Sequence, residues 1–414
     1  MKCRLCNINI ETPFLSLGNL PLANSFVKKE DLYKKEEYYP LNVYVCDNCK
    51  LVQVEDYVSS DLIFNVEYAY FSSFSKIWVK HCKNYVDMIV KRLNLNSNSR
   101  IIEIGSNDGT LLENFKKYGI NNILGIDPAR DAAHEAMKKG IDTYITMFND
   151  NYVKNNLKSN SVDLIIANNV LAHNPNLNEF VQSMKYVLKC DGVITIEFPH
   201  LLNLIKYKQF DTIYHEHFSY FSLISASKLL NQNSLTIFDV EELETHGGSL
   251  RLYVKHAEDN TKCITDSVYD MLYNETEFGI DKISTYHNFA DKVIQTKKDI
   301  LYFMLKLSFP QIMTSKRKVV GYGAPAKGNT LLNYCGIGKE FIEYTVDLNP
   351  HKQGKYLPGN RILIYNPDKI KEDKPDYIII LPWNIVNEIV KQLEYTREWS
   401  CKLITLIPNI LIIE

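Results

Sequence analysis

The chain has 414 residues, 45% of them hydrophobic and 23% charged, with a formal net charge of −2. That balance leaves no electrostatic footprint for nucleic acid, and no run reaches the roughly 18 apolar residues of a membrane span; neither partner is expected. The opening MKCRLCNINI lacks the apolar core of a signal peptide, so a cytoplasmic protein, by default a monomer, is expected, with three domains at roughly 100 to 200 residues each.

The first feature along the chain is Cys3-Arg4-Leu5-Cys6, answered by Cys46-Asp47-Asn48-Cys49. Two such pairs can share one tetrahedral Zn²⁺. Nine cysteines, an odd number, argue against a disulfide framework. A four-thiolate site has no open coordination position, so this zinc is expected to be structural, letting a core-poor module fold. The segment between the pairs carries Pro13, Gly18, Pro21 and a β-like run from Tyr39 to Val45. Cys82, Cys190, Cys263, Cys335 and Cys401 have no such pairing and are expected to be buried. From about Val66 to Leu95 the pattern turns helical, with Trp78, Cys82, Tyr85, Ile89 and Leu93 at three- and four-residue steps.

RIIEIGSNDGTLLENFKKYG, ILGIDPA, VDLIIANNVLAH and GVITIEFP then give four apolar strand candidates separated by helical or loop segments, the mark of a parallel α/β sheet. Glu103, Gly105, Asn107, Asp108 and Gly109 form a glycine-rich turn between strand and helix. Asp127, followed by Pro128, closes the next strand, where an acid can accept hydrogen bonds from a ribose. The third glycine of a dinucleotide fingerprint is missing and an acid opens the loop, which suits a cationic sulfonium better than a pyrophosphate. The loop resembles that of class I S-adenosylmethionine-dependent methyltransferases. On that resemblance Phe148 would pack on adenine, with a core aromatic as the plain alternative, and Asn168 would end a strand where the methyl moves.

Residues 213 to 222, IYHEHFSYFS, crowd two histidines, a glutamate and two tyrosines together. If 213 to 218 were a strand, His215 and His217 would point one way, as a metal-binding pair requires; no third ligand is placed by the sequence. SKLLNQNSLTIFDVEEL and SLRLYVKH follow as a helix and the last strands, with His246 in the loop before the second of them. Residues 265 to 310 read as a helical connector. A second α/β pattern begins at RKVVGYGAPAKGNTLLN, where Gly323, Ala324 and Lys327 lie between strand and helix and Asp347 follows. A helix N-terminus with a lysine suits a sugar-nucleotide diphosphate, although NAD and a plain turn stay open. The expected architecture is α/β: a zinc-binding module (1–66), a class I methyltransferase domain (67–264), and a connector with a second Rossmann-like domain (265–414).

The order of zinc knuckles, EIGSNDGTLL, YHEHFSYFS and YGAPAKGNTLLN is similar over essentially the whole chain to the three-domain sugar C-methyltransferases that make branched deoxysugars. The resemblance implies S-adenosylmethionine and zinc as cofactors and a nucleoside-diphosphate keto-sugar as substrate, methylated beside its ketone. By motif match it implies His217 as general base, with Tyr214, Glu216, Tyr68 and His173 at active-site positions. Apart from the resemblance, His246, just before a strand, is placed to reach the sugar or the cofactor, with a plain loop histidine as the alternative, and Gly323, Ala324 and Lys327 are read as substrate-binding. A sugar O- or N-methyltransferase and an NAD-dependent oxidoreductase or epimerase remain as alternatives.

Overall fold

The computed structural model describes residues 1–59, 71–308 and 317–413. The chain folds as two discontinuous units, one from Met1–Glu11, Val45–Leu202 and His217–Asp281, the other from Thr12–Tyr44, Asn203–Glu216 and Lys282–Glu414.

The first unit is built on seven strands: β1 (Ile101–Ile104), β2 (Ile123–Ile126), β3 (Thr143–Tyr144), β4 (Val162–Asn168), β5 (Leu188–Pro199), β6 (Leu235–Leu243) and β7 (Ser249–His256). Their order is β6-β7-β5-β4-β1-β2-β3. β1 to β5 run parallel, whereas β7 is antiparallel to both β5 and β6. The apolar runs seen in the sequence are the central strands, because a strand covered on both faces has no polar side to alternate with. Ile102, Ile104, Ile165 and Ala167 enter one core, and Ile101, Leu164 and Ile166 the opposite one.

Helix α1 (Lys76–Arg92) begins where the Ser75 side chain accepts from the Trp78 amide, and it buries Cys82, Tyr85, Val86, Ile89 and Val90 along one face, the stripe that the three- and four-residue spacing demands. Helix α2 (Leu223–Gln232) has a reciprocal Ser222–Ser225 capping box. The expected connector consists of α3 (Asp266–Phe278) and α4 (Ile283–Ser308), and the chain passes from one unit to the other between them.

The second unit holds β8 (Val319–Tyr322), α5 (Ala326–Cys335), β9 (Tyr344–Val346), β10 (Leu363–Tyr365), β11 (Tyr377–Ile380), β12 (Lys402–Thr405) and β13 (Leu411–Ile413). The sheet order is β10-β9-β8-β11-β12-β13, parallel except for β13. The β-like run at Tyr39–Val45 is a strand, paired antiparallel with Leu15–Leu20. Two unpaired cysteines depart from expectation. Cys190 and Cys263 are exposed, while Cys82, Cys335 and Cys401 are buried. Cys190 lies at the irregular start of β5, where the pairing with β4 shifts register between Leu188 and Val193, and Cys263 in the loop after β7, so neither side chain is carried into a core. Among the described residues no helix is long and apolar enough to cross a membrane.

Candidate active site

The two cysteine pairs form matched knuckles within the first unit. The Asn7 amide donates to the Cys3 carbonyl and the Lys50 amide to the Cys46 carbonyl, each at 2.9 Å. Asn7 and Lys50 both adopt left-handed φ, 60° and 62°, so each turn aims its two thiols at one point. The four Sγ atoms lie within 4.8 Å of one another, with Cys3–Cys49 at 3.4 Å and Cys6–Cys46 at 3.5 Å. Zn–S bonds of about 2.3 Å in a tetrahedron separate sulfurs by ~3.8 Å, so the cluster fits zinc with all four positions filled by protein.

The glycine turn follows β1. Gly105 has φ +69°, and a Cβ there would lie 2.5 Å from Val170 Cγ2; the turn therefore requires glycine. Asn107 donates its amide to Asp127 Oδ2, and the Ala129 amide, just past Pro128, donates to Oδ1, both at 2.8 Å. Asp127 is thereby locked at the end of β2. Ser72 and Ser73 donate their amides to Asn107 Oδ1 and Asp108 Oδ2 at 2.8 and 3.1 Å.

Burial pushes the Glu103 carboxyl well above the usual range, and Asp127 and Asp108 add to the shift; burial also raises Asp127 to about 6. Crowded acids of this kind favour a cation. Glu103 Oε2, Ser106 Oγ and both amide atoms of Asn168, at the end of β4, are buried without partners among the described residues. Buried polar atoms in this state call for a ligand, and the donor and acceptor set fits a nucleoside bearing a sulfonium. Phe148 is 5% exposed, shares a core with Ile104 and Ile126, and meets Phe180 edge-on at 5.5 Å.

Gly105→Ala should lower stability by about 1–3 kcal/mol, from its left-handed backbone and the Val170 contact. It should also weaken S-adenosylmethionine binding. Thermal unfolding and titration calorimetry check both; unchanged affinity would refute the assignment of this turn to the cofactor.

Residues 213–218 turn at His215 and Glu216 rather than forming a strand, and only Ser219–Tyr220 of the stretch is extended in a sheet. His215 Nε2 lies 3.2 Å from the carbonyls of both Tyr39 and Pro40, so it donates to backbone and is structural; among the described residues only the four cysteines cluster as metal ligands. Tyr214 is half-buried. Glu216, buried in the second unit, accepts from Asn24 Nδ2 on both carboxylate oxygens at 2.8 Å. Burial pushes its pKa up to about 7 against the opposing pull of Asn24 and Lys352.

The native chain therefore binds this proton more tightly than the unfolded chain does. That contribution is complete below about 4.5 and is lost as pH rises through about 7. Glu216→Gln should accordingly gain melting temperature relative to wild type at pH 8 and gain little at pH 4; equal differences at both pH values would contradict this.

His217, the next residue, lies in the first unit and is half-buried. Its ring meets His173 edge-on, with centroids 4.8 Å apart and planes at 62°. Tyr220 also meets this ring edge-on, with centroids 6.0 Å apart. His173 ends the short turn after β4, so two histidines converge beyond the strand that ends in Asn168. His246, with φ 56°, tilts against Trp78 at 5.5 Å and accepts from Asn169 Nδ2 at 3.4 Å. Tyr68 lies outside the described residues.

Two groups escape sequence reasoning. Asn24 is one, and no local pattern marks it. The other is Glu197 in GVITIEFP, whose carboxylate takes His81, Thr245 and Arg251 at 2.9, 2.9 and 3.1 Å. Burial would raise its pKa, but His81 and Arg251 hold it below the usual value. An acid inside an apolar strand was the available signal.

In the second unit Gly323 has φ +88°, and a Cβ there would lie 2.6 Å from Pro382. Ala324 donates its amide to Asp347 Oδ2 at 2.7 Å, repeating the Asn107–Asp127 bond. Lys327 Nζ donates to Asn384 at 2.8 Å and lies 4.5 Å over the Trp383 ring. Burial lowers Lys327 to about 8, opposed by Asp211.

A parallel sheet of order 3-2-1-4-5 with an antiparallel pair at its edge, a glycine turn after the first strand and an acid ending the second is the class I methyltransferase fold. Residues 3–64 match the zinc binding domain family of methyltransferases, 78–240 a methyltransferase domain family and 244–408 the C-methyltransferase C-terminal domain family. The chain belongs to the C-methyltransferase family: it is an S-adenosylmethionine-dependent methyltransferase with a four-cysteine zinc site.

It is 33% identical over 409 residues to the C-methyltransferase NovU of Streptomyces niveus, spanning 99% of this chain and 96% of that protein. Similar solved structures include PH0226 of Pyrococcus horikoshii OT3, 13% identical over 45% of this chain and 95% of that one, with a TM-score of 0.38. Magnesium protoporphyrin IX methyltransferase of Synechocystis PCC 6803 is 17% identical over 42% and 82%, with a TM-score of 0.35.

Proposed function

We propose that the enzyme methylates the carbon next to the ketone of a nucleoside-diphosphate-linked keto-sugar, in branched-sugar biosynthesis in the cytoplasm. The observation that carries this reading is the half-buried His217 ring held against His173 at 4.8 Å, in the unit that also holds the Gly105 turn. Methylating carbon requires a carbanion equivalent. A histidine with an ordinary pKa near 6.5 is a competent base at neutral pH: His217 takes the α-proton, and the electron pair of that C–H bond becomes the enolate. His173 orients the ring. Tyr214 or Tyr68 donates a hydrogen bond to the enolate oxygen, and Glu216 supports the imidazolium charge.

Bound S-adenosylmethionine would supply an electrophilic methyl group for the enolate carbon. Glu103, Gly105, Asn107, Asp108, Asp127, Pro128 and Asn168 hold it, with Phe148 supporting that region from the core. On the substrate side Gly323, Ala324 and Lys327 receive the diphosphate and His246 the sugar. In this reading 1–66, 67–264 and 265–414 are the zinc, cofactor and sugar-nucleotide regions.

The test is to incubate the enzyme and S-adenosylmethionine with a panel of nucleotide-linked 4-keto sugars and locate any new methyl group by NMR. A methyl on oxygen or nitrogen, or none on any sugar, would overturn the proposal.

A further inference from the structure

The first zinc knuckle is wired to the segment that carries His217, through contacts that neither metal binding nor methyl transfer requires. Arg4, between the two cysteines of that knuckle, donates from Nη1 to the Phe218 carbonyl at 2.9 Å. Its guanidinium lies 5.5 Å over the Phe218 ring and ion-pairs at its other end with Asp56. The Arg4 side chain is only 6% exposed, against 49% for Asp56, so the fork is buried where it meets Phe218. The same carbonyl accepts from the Val54 amide at 3.1 Å, and the Phe218 amide donates to the Ala172 carbonyl at 2.8 Å. The peptides on both sides of Phe218 are therefore fixed, one of them to the residue preceding His173.

Gln53 completes the link. Its Oε1 accepts from the Arg4 amide at 3.0 Å, and its Nε2 donates to Cys3 Sγ at 3.3 Å. Its backbone lies opposite Ser219 in the antiparallel pairing of Val52–Val54 with Ser219–Tyr220.

We propose that Arg4 is a positioning residue for proton transfer: it clamps the Phe218 carbonyl, one peptide beyond His217, to the first zinc knuckle, so that the metal-bound shape of the knuckle sets the His217–His173 geometry. An arginine suits the task because its planar fork reaches a carbonyl and a carboxylate at once while its face covers an aromatic ring. A base displaced by about 1 Å can lose on the order of 10²-fold in rate. The inference rests on His217 being the base.

The experiment measures solvent deuterium exchange at the α-carbon of a nucleotide-linked 4-keto sugar, together with zinc content and S-adenosylmethionine affinity, in wild type, Arg4→Ala, Arg4→Lys and His217→Ala. Expected is a fall in exchange of about 10- to 100-fold in Arg4→Ala and a smaller fall in Arg4→Lys, which keeps the charge but not the fork. Zinc content and cofactor affinity should stay at wild-type values. Wild-type exchange in either folded Arg4 variant overturns the proposal. A loss matched by equal losses of zinc and cofactor affinity in Arg4→Lys also overturns it, because Arg4 would then act on the fold alone. If Arg4→Ala does not fold, Arg4→Lys decides. If His217→Ala exchanges normally, the base assignment fails instead, a result distinct from either Arg4 outcome.

Discussion

His217→Ala is expected to lose α-proton exchange and methyl transfer together, by roughly 10²- to 10⁴-fold, the usual worth of a positioned general base. Cofactor affinity should stay close to wild type, because the cofactor is assigned to the turn at Gly105 and to Asp127. Deuterium incorporation without S-adenosylmethionine isolates the proton step, and single-turnover methylation gives the second. Retention of exchange with loss of methylation would make His217 a binding residue and leave the base to be found elsewhere. His173→Ala should cost less, since its ring contacts His217 and touches the proton only through it.

Removing zinc should be the largest perturbation to the fold. The knuckles bring their sulfurs to 3.4 to 3.5 Å, and four thiolates that close repel one another unless a cation lies between them. Zinc binding to such sites is worth about 10–16 kcal/mol in isolated peptides. Chelation, or Cys46→Ser, should therefore melt the module and expose the Cys3, Leu5 and Leu51 side chains now buried in the first unit. Metal analysis paired with circular-dichroism melts tests this directly. A metal-free chain melting at the wild-type temperature would show that the cysteines are merely packed.

Much of this arrangement could be read from local signals. Paired cysteines at two-residue spacing, apolar runs for buried parallel strands, and glycines where φ must be positive each leave a mark within a few residues. The polar contacts did not. Asn24 reaches Glu216 across 192 positions and Arg4 reaches Phe218 across 214, and no periodicity encodes such pairings. The YHEHF stretch was ambiguous for the same reason. Alternation allowed a strand, but His215 finds its partners in the carbonyls of Tyr39 and Pro40, and the chain turns there instead. Cys190 and Cys263 are exposed, and an isolated cysteine carries no local signal of whether its side chain faces a core.

The interleaving of the two units also bears on the order in which the chain can fold during synthesis. The first unit has all its segments once Asp281 has emerged, whereas Thr12–Tyr44 and Asn203–Glu216 belong with residues that begin only at Lys282. Two stretches of the early chain therefore belong with partners that exist only once the last third is translated.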